Sequence, residues 1–291
     1  MKKNTMIKLS PVKQVNTLDS HEFIKNYKQK SKPVVIKNLT QDWPARKKWS
    51  IDYFKQVAGD KMVDLYDCVP SKDHKHQHAP AVTMPLRDYL ERIEQGKKDL
   101  RLFFYNILSG APELTKDFSY PEIGLSFFKK LPVLFIAAKG TKVQMHFDID
   151  FADIFLCHFG GKKRVVLFPH EQTKYMYHVP FSFSSLFDVD FDKPDYDKYP
   201  ALKYLQGQEV ELYHGDILYI PPGYWHYIVY EETGMSMALR AFPKTPVNFF
   251  HMMKNLIVIR SVEGLMRKII GQSWNERNER LAVTKTNKNI E

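Results

Sequence analysis

The chain has 291 residues, 44% hydrophobic and 26% charged, which excludes a disordered polypeptide and fits one large globular domain or two small ones. Its net charge of +10 leaves room for an acidic partner, whether a peptide, a nucleic acid or a small dianion. The basic residues are dispersed in runs no longer than Lys162-Lys163-Arg164, and no arginine-rich arm, zinc finger or RNA-binding aromatic signature occurs, so nucleic acid is the less favoured partner.

In chain order, residues 20–30 read as a short polar helix and Pro33 to Leu39 as a buried strand. Ser50 is placed to cap a helix carrying Tyr53, Phe54 and Val57. Met62 to Tyr66 alternates like a strand. Asp67 to Ala81 follows as a polar loop holding His74, His76 and His78, whose spacing, even with Cys68 and Asp73 nearby, matches no standard metal motif. Pro85 to Glu94 puts Leu86, Tyr89, Leu90 and Ile93 on one helical face, and Leu100 to Ile107 is a strand.

From Leu131 the pattern changes to short strand-like runs at 132–138, 142–147, 151–159, 163–168, 208–213, 216–220, 226–231 and 235–241. Many short strands with turns between them predict a mainly β sandwich or barrel, and 14% aromatic residues agree with that. The interruption at 169–207 predicts a lid or insertion over one end. After Pro246, Phe249, Met252, Met253, Leu256 and Ile259 recur at helical spacing, a tail that either packs on the core or forms a dimer interface. Thr284 to Glu291 is polar and expected to fray. The expected division is a domain over 1–243, with its barrel at 131–243, and a helical region over 244–291.

Two cysteines, Cys68 and Cys157, are too few for a disulfide framework or a Cys-based zinc site. No stretch approaches the roughly 18 apolar residues of a membrane span, and the first residues carry no signal-like apolar run. A reducing cytoplasm, with no membrane partner, is the expectation.

The chemistry concentrates in His146-Phe147-Asp148. On an extended strand, residues i and i+2 share a face, so an imidazole and a carboxylate project together. A barrel brings distant strands together, and His226, after the tight turn Pro221-Pro222-Gly223-Tyr224-Trp225, is the natural third ligand. Two His and one carboxylate leave the opposite coordination positions open, as non-haem iron(II) requires. Zinc could use the same ligands, and both His could instead be satisfied core residues.

Gln144 to Asp148, Phe159 to Pro169 and Gly215 to His226 together resemble the JmjC hydroxylase family, and within it the asparaginyl hydroxylase acting on hypoxia-inducible factor; even Asp190 to Tyr196 in the insertion is similar. The resemblance covers roughly Pro33 to Phe242. It implies a double-stranded β-helix, of the jelly-roll or cupin kind, with flanking helices and a helical tail. It implies Fe(II) on His146, Asp148 and His226, with 2-oxoglutarate and O2 as cosubstrates, in a dioxygenase that yields succinate and CO2. Lys163 matches the lysine that pairs with the distal carboxylate of 2-oxoglutarate, whereas Lys162 should point outward to the surface.

This sequence departs from the family at several positions. Val143 stands where a Thr or Ser is usual, and Thr141, two residues earlier, is the substitute. Phe103 stands at the usual Tyr position, with Tyr105 next on the same face. The usual Asn has no secure match, Asp153 being the nearest. Arg240 replaces an Asn, and either anchors a carboxylate of cosubstrate or substrate or pairs with a loop acid. The resemblance favours hydroxylation of a peptide or protein side chain, with the aromatic residues of 175–199 forming either a peptide-binding wall or their own packing. The competing readings are an N-methyl-lysine demethylase, a non-catalytic metal- or ligand-binding cupin module, and a cupin isomerase or sugar-binding enzyme.

Overall fold

The computed structural model describes residues 7–68 and 79–291. The cluster of His74, His76 and His78, with Asp73, lies outside the described residues. Among the described residues there are 14 strands in two sheets. In chain order they are β1 (Lys8–Pro11), β2 (Lys13–Val15), β3 (Val34–Ile36), β4 (Met62–Asp67), β5 (Val82–Pro85), β6 (Leu100–Asn106) and β7 (Val133–Ala137). There follow β8 (Lys142–His146), β9 (Asp153–Phe159), β10 (Lys163–Phe168), β11 (Gln206–Leu212), β12 (Ile217–Ile220), β13 (Trp225–Tyr230) and β14 (Gly234–Ala241). The smaller sheet runs β1-β11-β10-β13-β8, and the larger β2-β3-β12-β9-β14-β7-β6-β4-β5. From β7 onward, successive strands alternate between the sheets except for β10 and β11, which are paired neighbours in the smaller one, giving the cupin-like jelly roll that the sequence predicts.

Alternation of side chains builds three hydrophobic layers. In β9 every residue is buried: Ile154 and Leu156 join the core between the sheets, while Phe155, Cys157 and Phe159 face the helices that cover the larger sheet. That outer layer collects Phe54 from the helix Ile51–Ala58, which Ser50 caps by accepting from the Tyr53 amide at 3.2 Å, and Tyr89 and Leu90 from the helix Leu86–Glu94. On the other side, Val166 and Phe168 of β10 and Trp225 and Tyr227 of β13 turn away from the barrel. They meet Met176, Tyr177, Leu186 and Tyr199 of the insertion. Full burial of each such side chain contributes about 1.5–3 kcal/mol.

The insertion therefore lies on the outer face of the smaller sheet rather than as a lid over one end. Tyr177 and Tyr199 are buried there, with Tyr175, Phe183, Phe191 and Tyr196 packed against them, so these aromatics fill a core of their own. The tail is helical as expected, over Pro246–Met253, Arg260–Ile270 and Gln272–Lys288, with a π-helical stretch between the first two. Its end does not fray. Ala282 and Thr286 are buried, and Tyr177 donates its hydroxyl to Asn287 Oδ1 at 2.7 Å, so packing on the insertion overrides the polar composition. Strands β1 and β2, absent from the sequence reading, are short and add parallel to β11 and β3 as mostly exposed edges.

The chain crosses from β9 in one sheet to β10 in the other through Gly160 and Gly161, both at positive φ (71° and 62°). A Cβ on Gly161 would lie 2.4 Å from the Thr233 carbonyl oxygen of the neighbouring crossing. Gly161→Ala is expected to lower stability by about 1–3 kcal/mol in equilibrium denaturation; an unchanged midpoint would contradict this reading of the corner.

Candidate functional site

The antiparallel pairing of β8 with β13 sets His146 directly opposite His226, with ring centroids 4.1 Å apart. Phe147 turns to the other face and is wedged against Trp225 and Phe183, which leaves Asp148, just past the strand end, on the imidazole side. Asp148 Oδ2 approaches His226 Nε2 at 3.7 Å. Ligand-type atoms from all three residues lie within 4.8 Å of one another. Gly223, at φ +72°, makes the turn before β13 and packs on the Phe151 ring, closing the loop that follows Asp148.

Each imidazole is oriented through its other nitrogen. His146 Nδ1 lies 2.7 Å from the Gln144 carbonyl and His226 Nδ1 lies 3.1 Å from the Tyr224 carbonyl. A carbonyl only accepts, so both Nδ1 atoms carry the proton and both Nε2 lone pairs are free to coordinate. Burial, reinforced by His226, pulls the pKa of His146 down to about 3, so its imidazole is neutral and needs no deprotonation to serve as a ligand. Burial alone would raise the Asp148 carboxyl, but Arg240 and the two imidazoles more than offset it and hold it well below the usual carboxylate range. Two imidazole nitrogens and one carboxylate facing a common point make a donor set that suits a first-row divalent ion such as iron(II).

Arg240 projects from β14 into the barrel, where its guanidinium is engaged by acids of the loop after β8. It donates through Nη2 to Asp148 Oδ1 at 2.8 Å, and forms a bidentate pair with the carboxylate of Asp150, from Nε at 2.8 Å and Nη2 at 2.9 Å. It pairs with the loop acids and positions Asp148. Asp150, unnoticed in the sequence, sits two residues after Asp148 in the same turn.

Lys163 points into the barrel from the start of β10, fully buried, while Lys162 turns outward to Glu211 and Glu231 as expected. Lys163 Nζ donates to Ser236 Oγ and sits 4.0 Å from the centroid of the Tyr230 ring. Among the described residues it has no carboxylate partner, and burial pulls its pKa down to about 7. Ser236 also lies 3.0 Å from His158 Nδ1. Lys163 pairs with Tyr230 across β10 and β13, four residues from His226, which places it about 13 Å along the strand from that candidate ligand.

The other predicted cosubstrate residues divide. Thr141 is buried at the Lys163 end, where its carbonyl accepts from the Tyr230 amide and its hydroxyl lies 3.7 Å from Cys68 Sγ. Val143 faces Ile228. Tyr105 does not join the cluster. A bulge between Leu102 and Tyr105, with Phe104 at φ +55°, makes both residues pair on the helix-covered face, opposite Ile136 and Leu134. Phe103 and Tyr105 were expected to share a face, and the bulge separates them. Asp153 also faces that outer layer, where it holds Lys28 and accepts from the Tyr219 hydroxyl at 2.7 Å. Tyr230, Ser236 and His158 were missed, although 226, 228 and 230 alternate inward on one strand. A surface cleft of about 920 Å³, between Pro11–Gln14, His170 and His251, contains none of the three ligands.

Among curated proteins, tRNA wybutosine-synthesizing protein 5 of Gallus gallus is 28% identical over 253 residues, covering 78% of this chain and 76% of its own. JmjC domain-containing protein D of Dictyostelium discoideum is 27% identical, covering 77% of this chain and 53% of its own. Lysine-specific demethylase 8 of Danio rerio is 26% identical, covering 79% and 59%. The cupin-like domain family matches residues 20–255, a span that takes in every strand except β1 and β2, the insertion and all three candidate ligands, and the chain belongs to that family.

Proposed function

We propose that this protein is an iron(II)- and 2-oxoglutarate-dependent dioxygenase that hydroxylates a peptide or protein side chain. The observation that carries this reading is the pairing of the His146–Asp148–His226 donor set with a buried lysine, Lys163, that has no counter-ion at the far end of the same barrel. With both bound, iron(II) and 2-oxoglutarate supply the oxidising chemistry: the oxoacid, dioxygen and a C–H bond give succinate, CO2 and C–OH.

His146, Asp148 and His226 would hold the metal, their orientation fixed by the Gln144 and Tyr224 carbonyls and by Arg240. Lys163 would hold the distal carboxylate by a charge-assisted hydrogen bond, with Ser236 and the Tyr230 ring fixing its ammonium and the barrel walls excluding water. Thr141 lies close enough to the Lys163 end to line the oxoacid. No general base is needed at the substrate carbon, consistent with imidazoles whose Nε2 lone pairs would be committed to the metal.

A tRNA substrate is the second reading. It is favoured by the +10 net charge and by relatives named for tRNA wybutosine synthesis. Relatives named lysine-specific demethylases keep N-methyl-lysine within the same chemistry. Substrate-dependent succinate formation, measured with peptide pools and with total tRNA, separates these readings.

The pH dependence tests the site itself. Free Lys163 is largely neutral above about pH 7, and a carboxylate favours its charged form, so binding above that pH takes up a proton. The affinity of the metal-loaded protein for 2-oxoglutarate should be flat below about pH 7. Above it, affinity should fall by up to about tenfold per pH unit. Calorimetry in buffers of different ionisation heat would detect the proton; affinity constant or rising up to about pH 9 would contradict the assignment.

The expected homodimer is proposed on the tail, where Phe249, Phe250, Ile257, Val258, Leu265 and Ile269 are each half or more exposed on one helical run. Cutting at 243 would also strip Ala282 and Trp274 from the insertion, so point substitutions are the cleaner test. Ile269→Glu with Phe250→Glu should convert a dimer to a monomer in sedimentation equilibrium; a monomeric wild type would contradict the dimer.

A further inference from the structure

Besides Lys163 and Arg240, the barrel contains a partly buried cation that the roles assigned so far do not use. Arg101 lies on β6, opposite Ala137 of β7. Ala137 belongs to the core between the sheets, so Arg101 enters the barrel on the same side. Its Nε and Nη1 atoms are inaccessible to solvent and have no hydrogen-bond partner. The contrast with the other arginines is direct. Arg240 is deeper still, and it is held by two carboxylates. Arg92 and Arg267 also have a buried Nε without a partner, yet each pairs with an acid, Asp99 and Glu263. Among the described residues Arg101 pairs with none.

Its neighbours place it at the Lys163 end. Its guanidinium lies over the Phe103 ring, 5.1 Å from the centroid, and its strand partner Ala137 pairs with Gly234, two residues before the Ser236 that accepts from Lys163. Cys68 touches Thr141, and the Tyr230 ring lies under Lys163. Arg101, Lys163 and Thr141 therefore lie at the same end of the barrel. A lysine in such a place can shed its proton, but a guanidinium cannot, so Arg101 stays charged and, among the described residues, has no acid to compensate it.

We propose that Arg101 is a cosubstrate-binding residue, which together with Lys163 holds the distal carboxylate of 2-oxoglutarate and selects a dicarboxylate 2-oxoacid over a monocarboxylate one. The assignment rests on the dioxygenase reading. It deepens that reading by giving the site a planar two-donor fork where a lysine alone provides a point charge.

The test compares 2-oxoglutarate with pyruvate, which shares the 2-oxoacid end and lacks the distal carboxylate. Dissociation constants are measured anaerobically on protein loaded with iron(II), for wild type, Arg101→Met and Arg101→Lys. Arg101→Met should weaken 2-oxoglutarate roughly ten- to hundredfold and leave pyruvate within about twofold. Its ligand-free melting temperature should be no lower than that of the wild type, because an uncompensated buried charge has been removed. Arg101→Lys should lie between the two in its 2-oxoglutarate preference, and it decides the matter if the Met variant does not fold. Unchanged 2-oxoglutarate affinity, or equal weakening of both oxoacids, would overturn the role of Arg101 alone. A loaded wild type that binds neither oxoacid would overturn the dioxygenase reading, and this assignment with it.

Discussion

The pairing of β8 with β13 is the constraint on which the rest of the site depends. It sets His146 against His226 although 80 residues of sequence separate them, and it leaves both imidazoles facing the carboxylate that follows β8. That register is held from outside the barrel. Phe147, Trp225 and Phe183 pack on the far face, and the Phe147 amide donates to the Phe183 carbonyl at 2.9 Å. A one-residue slip would exchange every inward and outward side chain, exposing Trp225 to the barrel and His226 to the insertion. The insertion and the final helix thus have a structural role: they cover the apolar backs of the strands whose fronts carry the ligands.

Charge is ordered along the barrel. At the ligand end, Asp148 and Asp150 share one guanidinium, which leaves a formal charge of −1 on these acids beside two imidazoles, a composition that favours a cation. At the other end, Lys163 and Arg101 are cations without carboxylate partners among the described residues. A metal ion at one end and the distal carboxylate of a dianion at the other would compensate both. The ligand-free barrel keeps this polarity because the sheets and packed walls prevent the two ends from collapsing onto each other.

Much of this was legible in the sequence because alternation is local. The period-two rule put His146 and Asp148 together and separated Lys162 from Lys163, and the continuous apolar run at Pro33 to Leu39 identified the buried strand β3. What failed was non-local. The bulge at Phe103 and Phe104 breaks the alternation that Tyr105 was expected to follow, and nothing in Leu102-Phe103-Phe104-Tyr105 announces it. Strands β1 and β2 are edge strands whose exposure erases the apolar signal. The helical order of residues 284–288 comes from the insertion, not from local propensity. Arg101 and Asp150 acquire meaning only from what surrounds them, one lacking an acid and the other sharing Arg240.

The most direct test of the central claim is anaerobic titration of the iron(II)-loaded protein with 2-oxoglutarate, followed by visible absorption. The account predicts a weak metal-to-ligand charge-transfer band that saturates with the oxoacid and is lost in His146→Ala, which should remain folded. Iron bound without such a band, or a band that survives the loss of His146, would contradict the assignment of His146, Asp148 and His226 as the metal centre of an oxygenase.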